Sequence, residues 1–291
     1  MYADRLLSGD RRTALQWRAV YFTNPANGIQ FPIWKLLCAV VITVAVLIGL
    51  VLWNWVTELH RSVNASTRTQ LSGFLEMAAY TGFGWWLFNP ESIYSFGLNW
   101  QTEYSRGSMA ALVVVCFFMV AWPSSLWMKM SVAAFNRLSE RNAPPMETAT
   151  QFRNLRERAQ LVGFLTAIGI ASATLPMGAW RRVALAASPS PGDLFMFPPE
   201  WVMLFGLYWS FFLAAGYVPI HVAITRAGQS IRDSLVPPSP RGAQDFGDWQ
   251  KRHKEIEAYL GLDANSTDSF KLALAVLSPL IMGVFSTMTG K

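Results

Sequence analysis

Charged side chains are scarce in this sequence of 291 residues. Asp, Glu, Lys and Arg together make up 14% of it, whereas a soluble domain usually carries about 25%. Hydrophobic residues make up 52%, and 13 residues are Trp. This composition is typical of a chain whose main solvent is lipid, because indole rings prefer the interfaces of a bilayer. We therefore expect an integral membrane protein whose first partner is the lipid bilayer.

Cysteine and histidine are also rare. The two cysteines, Cys38 and Cys116, lie inside apolar runs, so we expect two buried thiols and no disulfide framework. The three histidines, His60, His221 and His253, lie in separate segments and lack the helical spacing of metal ligands. The sequence therefore gives no support for a metal site, and His221 reads as a membrane-interface residue rather than a catalyst.

Motifs for catalysis or phosphate binding are missing as well. The sequence contains no G-x-x-x-x-G-K-[ST] loop, no G-x-S-x-G elbow and no H-E-x-x-H pair. We therefore predict a protein that is not an enzyme and has no cofactor.

Long apolar runs are the main positive feature of the sequence. The first, residues 36–56, contains 21 residues without a charge. At about 1.5 Å per residue it measures roughly 30 Å, the hydrocarbon thickness of a bilayer. Four further runs have a similar character, at 108–128, 161–180, 201–224 and 271–290. The sequence thus predicts an all-α membrane protein with five transmembrane helices.

The aromatic segment 69–100 is apolar enough to enter lipid, yet it contains Glu76 and several glycines. A crossing here would place the arginine-rich segment 129–160 outside, against the positive-inside rule. We therefore expect an interfacial or re-entrant helix on the outer face, with Glu76 at its surface. If residues 72–88 entered the bilayer, Glu76 would become a candidate functional residue, because an unpaired carboxylate there costs several kcal/mol.

The distribution of basic residues predicts which segments face the cytosol. If the amino terminus lies inside, the inner segments hold 18 of the 24 Lys and Arg residues. This predicts a cytosolic amino terminus and an outer carboxyl terminus. It also explains the net charge of +6 without nucleic acid as a partner. The predicted units are the cytoplasmic segments 1–32, 129–160 and 225–270 and the membrane units 33–128, 161–224 and 271–291.

Hydroxyl groups on the last run give one candidate functional face. Ser278, Met282, Ser286 and Thr289 follow each other at spacings of four, four and three, so they share one side of a helix. The hydroxyls either bond to their own backbone or to a neighbouring helix, or they line a pore built from several copies of the chain.

Small residues and prolines mark packing faces and hinges in the apolar runs. Gly163, Ala167 and Ala171 recur every four residues, which favours close packing of two helices over pore lining. Prolines inside the runs predict kinks that suit gating. The predicted hinges are Pro123, Pro219 and Pro279.

The inner segments contain two basic groups, which predict a contact with a cytoplasmic protein or nucleotide regulator. The residues are Arg153, Arg156, Arg158, Lys251, Arg252 and Lys254. A modest amphipathic helix carries Phe246, Trp249, Ile256 and Leu260 on one side, and we expect it to dock on the membrane or on a partner.

Two hypotheses of function follow. The first is a homo-oligomeric ion channel or pore-forming effector of the bacterial inner membrane, gated through its cytoplasmic segments. The alternative is a non-catalytic structural or assembly subunit of an envelope complex of the secretion or conjugation type, favoured by the aromatic segment and the lack of chemistry.

Overall fold

The computed structural model describes residues 30–63, 67–88, 112–140, 144–187, 200–236, 246–262 and 277–285, and it has no strand among them. The helices are α1 (Gln30–Val63), α2 (Thr67–Phe88), α3 (Trp122–Glu140), α4 (Pro145–Ala187), α5 (Glu200–Leu235) and α6 (Phe246–Leu260). A π-helical turn, Phe117–Ala121, leads into α3. Residues 277–285 form one further helical stretch.

Four helices are long and apolar enough to cross a membrane. They are Pro32–Val63, Leu112–Ser139, Pro145–Ala179 and Val202–Leu235. These four overlap the first four predicted spans, so the all-helical, multi-pass character of the chain is confirmed in its coarse form. The fifth predicted span, 271–290, lies outside the described residues except for 277–285.

Helix α3 lies in the centre of the bundle. Its side chains Trp127, Met130 and Phe135 are almost completely buried, and it contacts α1, α2, α4 and α5. In a bilayer the lipid tails are as apolar as these side chains, so close packing and polar contacts hold such a bundle together. The buried Ser124 hydroxyl, 2.7 Å from the Thr166 hydroxyl of α4, is one of those contacts.

The predicted hinge at Pro123 coincides with a change of helix type. The Trp122 N–H donates to the Phe117 carbonyl five residues back, as in a π-helix. The next bond in that register would need an N–H on Pro123, which proline lacks. The Phe118 carbonyl accepts instead from the indole Nε1 of Trp53 on α1, at 3.0 Å.

Helix α1 reaches this turn because Gly49 has no side chain. A Cβ built on Gly49 would lie 2.7 Å from both the Cβ and the carbonyl oxygen of Met119. The same approach places the Trp53 ring edge-to-face on the Trp122 ring, 5.1 Å between centroids. The π-helical turn is therefore held by α1 as well as by its own backbone.

Helices α1 and α3 run in the same direction. Cys38 of α1 belongs to one buried cluster with Leu112, which begins the helical residues 112–116 that precede the π-helical turn and α3. Near their carboxyl-terminal ends, Arg137 donates to the Val63 carbonyl. The chain between Val63 and Leu112 therefore has to return along the bundle, and α2 forms part of that return.

The remaining helices fix the two ends of the bundle. Helix α4 runs opposite to α1: Arg158 is 2.8 Å from Glu58, and Ala179 packs with Trp34. We call the end that holds Val63, Pro145 and Leu235 the charged end, and the opposite end the plain end. Most of the described Lys and Arg residues lie towards the charged end.

The predicted assignment of sides is not confirmed. It placed the start of the first span and segment 129–160 on the same side, with the helix after residue 56 on the other. The Glu58–Arg158 ion pair instead puts the carboxyl end of α1 beside the start of α4. Helix α2 follows α1 and therefore begins at the charged end, not on the opposite face.

The stretch 277–285 packs antiparallel to α5. The backbone of Pro279 lies against Gly206, and a Cβ on Gly283 would lie 2.8 Å from the Val202 carbonyl. The stretch therefore points towards the plain end, where α1 begins. The prediction that the two ends of the chain emerge on opposite sides concerns residues outside the described ones and is not confirmed.

Candidate functional site: an ion pair on the α2 face

Helix α2 is part of the bundle. Met77 is fully buried, and a Cβ on Gly73 would lie 3.7 Å from the Leu126 backbone of α3. The Tyr80 carbonyl accepts from the hydroxyl of Tyr208 on α5 at 2.5 Å. Contacts with two other helices show that α2 is more than a surface helix on the outer face.

Glu76 is paired with a cation from another helix. The Nζ of Lys129 on α3 forms an ion pair with its carboxylate and lies 3.5 Å from the Ser72 hydroxyl, one turn earlier on α2. The two charged side chains are only partly covered, with 44% of Glu76 and 30% of Lys129 exposed. We call Glu76, Lys129 and Ser72 the α2 site.

The exposed stripe of α5 can be used to judge the depth of other residues along the bundle. One stripe of exposed side chains runs along it at spacings of three and four: Glu200, Leu204, Leu207, Phe211, Ala215, Val218, Val222 and Arg226. The apolar part, from Leu204 to Val222, measures roughly 27 Å at about 1.5 Å per residue, close to the hydrocarbon thickness of about 30 Å. Charges bracket it at both ends, as expected of a stripe that faces lipid tails.

Two contacts between α3 and α5 give the position of the α2 site along α5. The Met128 sulfur lies 3.1 Å from a Cβ built on Gly216, and the Ser230 hydroxyl lies 3.4 Å from the Ser139 carbonyl. In that register Lys129 is level with residues 217–220 of α5. The ion pair therefore lies at the depth where α5 presents Val218 and Val222 to lipid.

This placement makes the α2 site costly for a single copy of the chain in lipid. An ionised carboxylate or ammonium in hydrocarbon is expensive, and pairing offsets that cost only when the remaining lone pairs and protons are also satisfied. The exposed parts of Glu76 and Lys129 need water or another protein beside them. A charged pair in that position can hold an ion or a polar group at the face, but it gives no nucleophile or metal cluster.

The predicted pore face on the last run turns out to be used for packing at its first residue. The Ser278 hydroxyl lies 3.5 Å from the Ala167 carbonyl of α4, which is the neighbouring-helix alternative. Met282 is half-buried. Ser286 and Thr289 lie outside the described residues, so pore lining by this face stays a prediction.

The predicted packing stripe on α4 lies against α5. A Cβ on Gly163 would lie 3.5 Å from the Tyr217 ring, and Ala167 and Ala171 are buried. Of the other two predicted hinges, Pro219 lies inside α5 and Pro279 is buried against that helix.

The six basic residues predicted to bind a cytoplasmic ligand fall into two groups. The arginines of α4 have partners within the chain: Arg153 with Glu157 at 3.0 Å, Arg156 with the Leu260 carbonyl at 3.2 Å, and Arg158 with Glu58. The three residues of α6, Lys251, Arg252 and Lys254, are exposed.

Helix α6 docks on its own chain at the charged end. Leu260 is fully buried, and the Arg232 guanidinium of α5 pairs with Glu257 at 2.7 Å. Gly261, with φ +66°, turns the chain where Arg156 fills the space beside it. Towards its amino-terminal end, His253 stacks on Trp249 with centroids 4.8 Å apart. The contacts named here tie α6 to the ends of α4 and α5.

Lys129 and Ser72 were missed by sequence reasoning. Lys129 reads as the residue that ends a span, and nothing local links it to a glutamate on another helix. Among the described residues no cluster of three or more His, Cys, Asp or Glu side chains suits a metal. Comparison with protein families, curated proteins and solved structures finds no match for the chain.

Proposed function

We propose that the chain is one subunit of a homo-oligomeric ion channel or pore-forming effector of the bacterial inner membrane, with its α2 face beside the conducting path. The Glu76–Lys129 pair carries this proposal, because two half-covered charges at hydrocarbon depth need water or protein beside them. Charges that line a pore also set which ions pass.

The path lies between copies rather than inside one copy. Helix α3 fills the middle of the bundle with buried side chains, from Val120 to Met130. Several copies arranged around an axis, each with α2 innermost, would surround the α2 sites with water. In this arrangement the chain forms the homo-oligomer expected from the sequence. The principal wall of the conducting path is then α2 rather than the last helix.

The charged end is the natural place for gating. Its excess of Lys and Arg favours a cytosolic location, and α6 joins the ends of α4 and α5 there through Glu257 and Leu260. A protein or nucleotide bound to the exposed Lys251, Arg252 and Lys254 would pull on both helices. Pro219 interrupts the hydrogen bonding of α5 and lets that helix bend in response.

Current recordings test the proposal. Purified protein reconstituted into a planar bilayer should pass ions, and Glu76→Gln should shift the reversal potential towards anions because Lys129 then dominates the site. Glu58→Gln, which breaks an ion pair of similar exposure at the charged end, is the matched control and should leave selectivity unchanged. A protein that passes no current at any voltage, with or without cytosolic extract, would remove the channel proposal.

A scaffold subunit of an envelope complex is the second candidate. The contact between Ser278 and the Ala167 carbonyl favours it, because a hydroxyl turned to its own chain no longer lines a pore. In that case the α2 site would be covered by a different membrane protein. Purification in mild detergent separates the two candidates, since a scaffold retains unlike partners and a homo-oligomeric channel retains copies of itself.

A further inference from the structure

The exposed face of α2 differs from a lipid-facing surface. At about 100° per residue its exposed side chains cover one arc with Ala79 near the middle. Its members are Leu71, Ser72, Leu75, Glu76, Ala79, Gly82 and Phe83. A Cβ built on Gly82 would meet nothing within 4 Å, so open space lies beside it. We call this arc the α2 face.

Short side chains allow another helix to come close to this face. Ser72, Ala79 and Gly82 leave a shallow crease beside Leu75, and small residues of this kind let helix backbones approach in lipid. Lipid tails fill such a crease without providing hydrogen bonds. The crease alone does not identify the helix that occupies it. The charges of Glu76 and Lys129 beside it favour one occupant.

The charges on the α2 face suit a copy of the same face. Glu76 and Lys129 place one acid and one base side by side, and a surface with both signs is complementary to its own rotated copy. At the border of such a contact, the exposed 44% of Glu76 and 30% of Lys129 would face the neighbour's opposite charges on one side and the water of the proposed path on the other. A face that carried one sign only would repel its own copy.

We infer that a second copy of this chain docks on the α2 face, with Ala79 and Gly82 at the contact and Glu76 and Lys129 at its border. The inference rests on the proposed function and names its subunit contact. Neighbouring copies meet through α2, while the apolar stripe of α5 stays in lipid.

Cysteine cross-linking of the full chain in phosphatidylcholine and phosphatidylglycerol vesicles tests the contact. Cys38 and Cys116 are first replaced by Ala, and Ala79→Cys or Ala215→Cys is added. Both alanines are exposed on helices at hydrocarbon depth, so the second variant is a matched control. With iodine as a membrane-permeant oxidant, Ala79→Cys should give a covalent dimer on a non-reducing gel and Ala215→Cys should stay at monomer mass.

Three results would overturn the inference: no dimer with Ala79→Cys, equal dimer with Ala215→Cys, or an adduct of another mass that reveals an unlike partner. A second variant guards against misfolding of the cysteine chain. Ala79→Leu should shift the particle mass in detergent from oligomer to monomer, whereas Ala215→Leu should not.

The outcomes also separate this inference from the proposed function. If Ala79→Cys forms a dimer but the protein passes no current, the contact between copies is supported and the channel proposal is contradicted. Currents that persist without that dimer would keep the channel and place its subunit contact on another helix.

Discussion

Two exposed helix faces of this bundle lie at the same depth but present different chemistry. On α5, large apolar side chains such as Phe211 and Val218 are 69% and 59% exposed, with one charge beyond each end of the stripe. On α2, small residues alternate with Leu75 and Phe83, and Glu76 meets Lys129 inside the hydrocarbon range. The first face suits acyl chains and the second suits water or protein.

The difference shows that exposure in a membrane bundle does not by itself mean contact with lipid. Lipid tails satisfy Phe211 fully because they match its polarity. They leave the outer lone pairs of Glu76 unsatisfied, and the proposed second copy or water path would supply the missing hydrogen bonds. A charged side chain at hydrocarbon depth therefore distinguishes a face that meets water or protein from a face that meets lipid. Hydrophobicity distinguishes the two faces less sharply.

The largest expected effect comes from adding one charge to each face. Ala215→Asp puts a lone carboxylate on the lipid face, which should lower the free energy of unfolding by roughly 2–3 kcal/mol on the scale of charged residues near a helix centre. Ala79→Asp should cost clearly less if, as proposed, water or a neighbouring copy lies beside it. Unfolding in mixed SDS and mild detergent, followed by Trp fluorescence, measures both. Equal costs would mean that both faces meet lipid.

Breaking the ion pair should have the next largest effect. Glu76→Leu or Lys129→Leu leaves one charge without its partner and should lower stability by about 2 kcal/mol, less than the 3–5 kcal/mol of a fully buried pair. The double variant should be more stable than the sum of the two losses predicts. The same unfolding assay gives the cycle.

The matched reference for this cycle is the Glu58–Arg158 pair. It is of similar exposure, 53% and 42%, but lies at the charged end. Its coupling should stay within about 0–1 kcal/mol, as for surface pairs. A Glu76–Lys129 coupling no larger than that would place the α2 site in bulk water rather than in a special environment.

The crossing helices and the small-residue stripe of α4 are the features that the sequence predicted well. Apolar runs longer than 18 residues identify crossing helices from local composition alone, so the spans around residues 36–56 and 161–180 were found. The stripe of Gly163, Ala167 and Ala171 was visible for the same reason, since spacing of four on a helix is a local property.

The place of α2 in the bundle could not be found in that way. Glu76 and the glycines lower the apolarity of residues 67–88, and the partner that makes Glu76 tolerable, Lys129, is brought in by a different helix. The positive-inside rule then argued against a membrane crossing by this segment. Helix direction, set by contacts such as that of Arg137 with the Val63 carbonyl, is a tertiary property that no local pattern contains.

The π-helical turn lies beside α2, and a change there is expected to give a smaller effect. Trp53→Phe keeps an aromatic ring but removes the indole N–H, so the Phe118 carbonyl, five residues before Pro123, loses that donor. We expect stability to fall by about 1 kcal/mol, the usual net value of one hydrogen bond. Channel openings should change in duration as well, because the turn sits beside Phe74 of α2. Trp55→Phe on the same helix is the control.

The smallest effect is expected at the helical stretch that the sequence proposed as the pore wall. Ser278→Ala removes a long, weak hydrogen bond of 3.5 Å to the Ala167 carbonyl, so unfolding should shift by less than about 0.5 kcal/mol. With α2 as the wall, single-channel conductance should stay unchanged, whereas Glu76→Gln alters selectivity. A drop in conductance on losing one hydroxyl would return the conducting role to residues 277–285, and the α2 face would then be a contact between copies only.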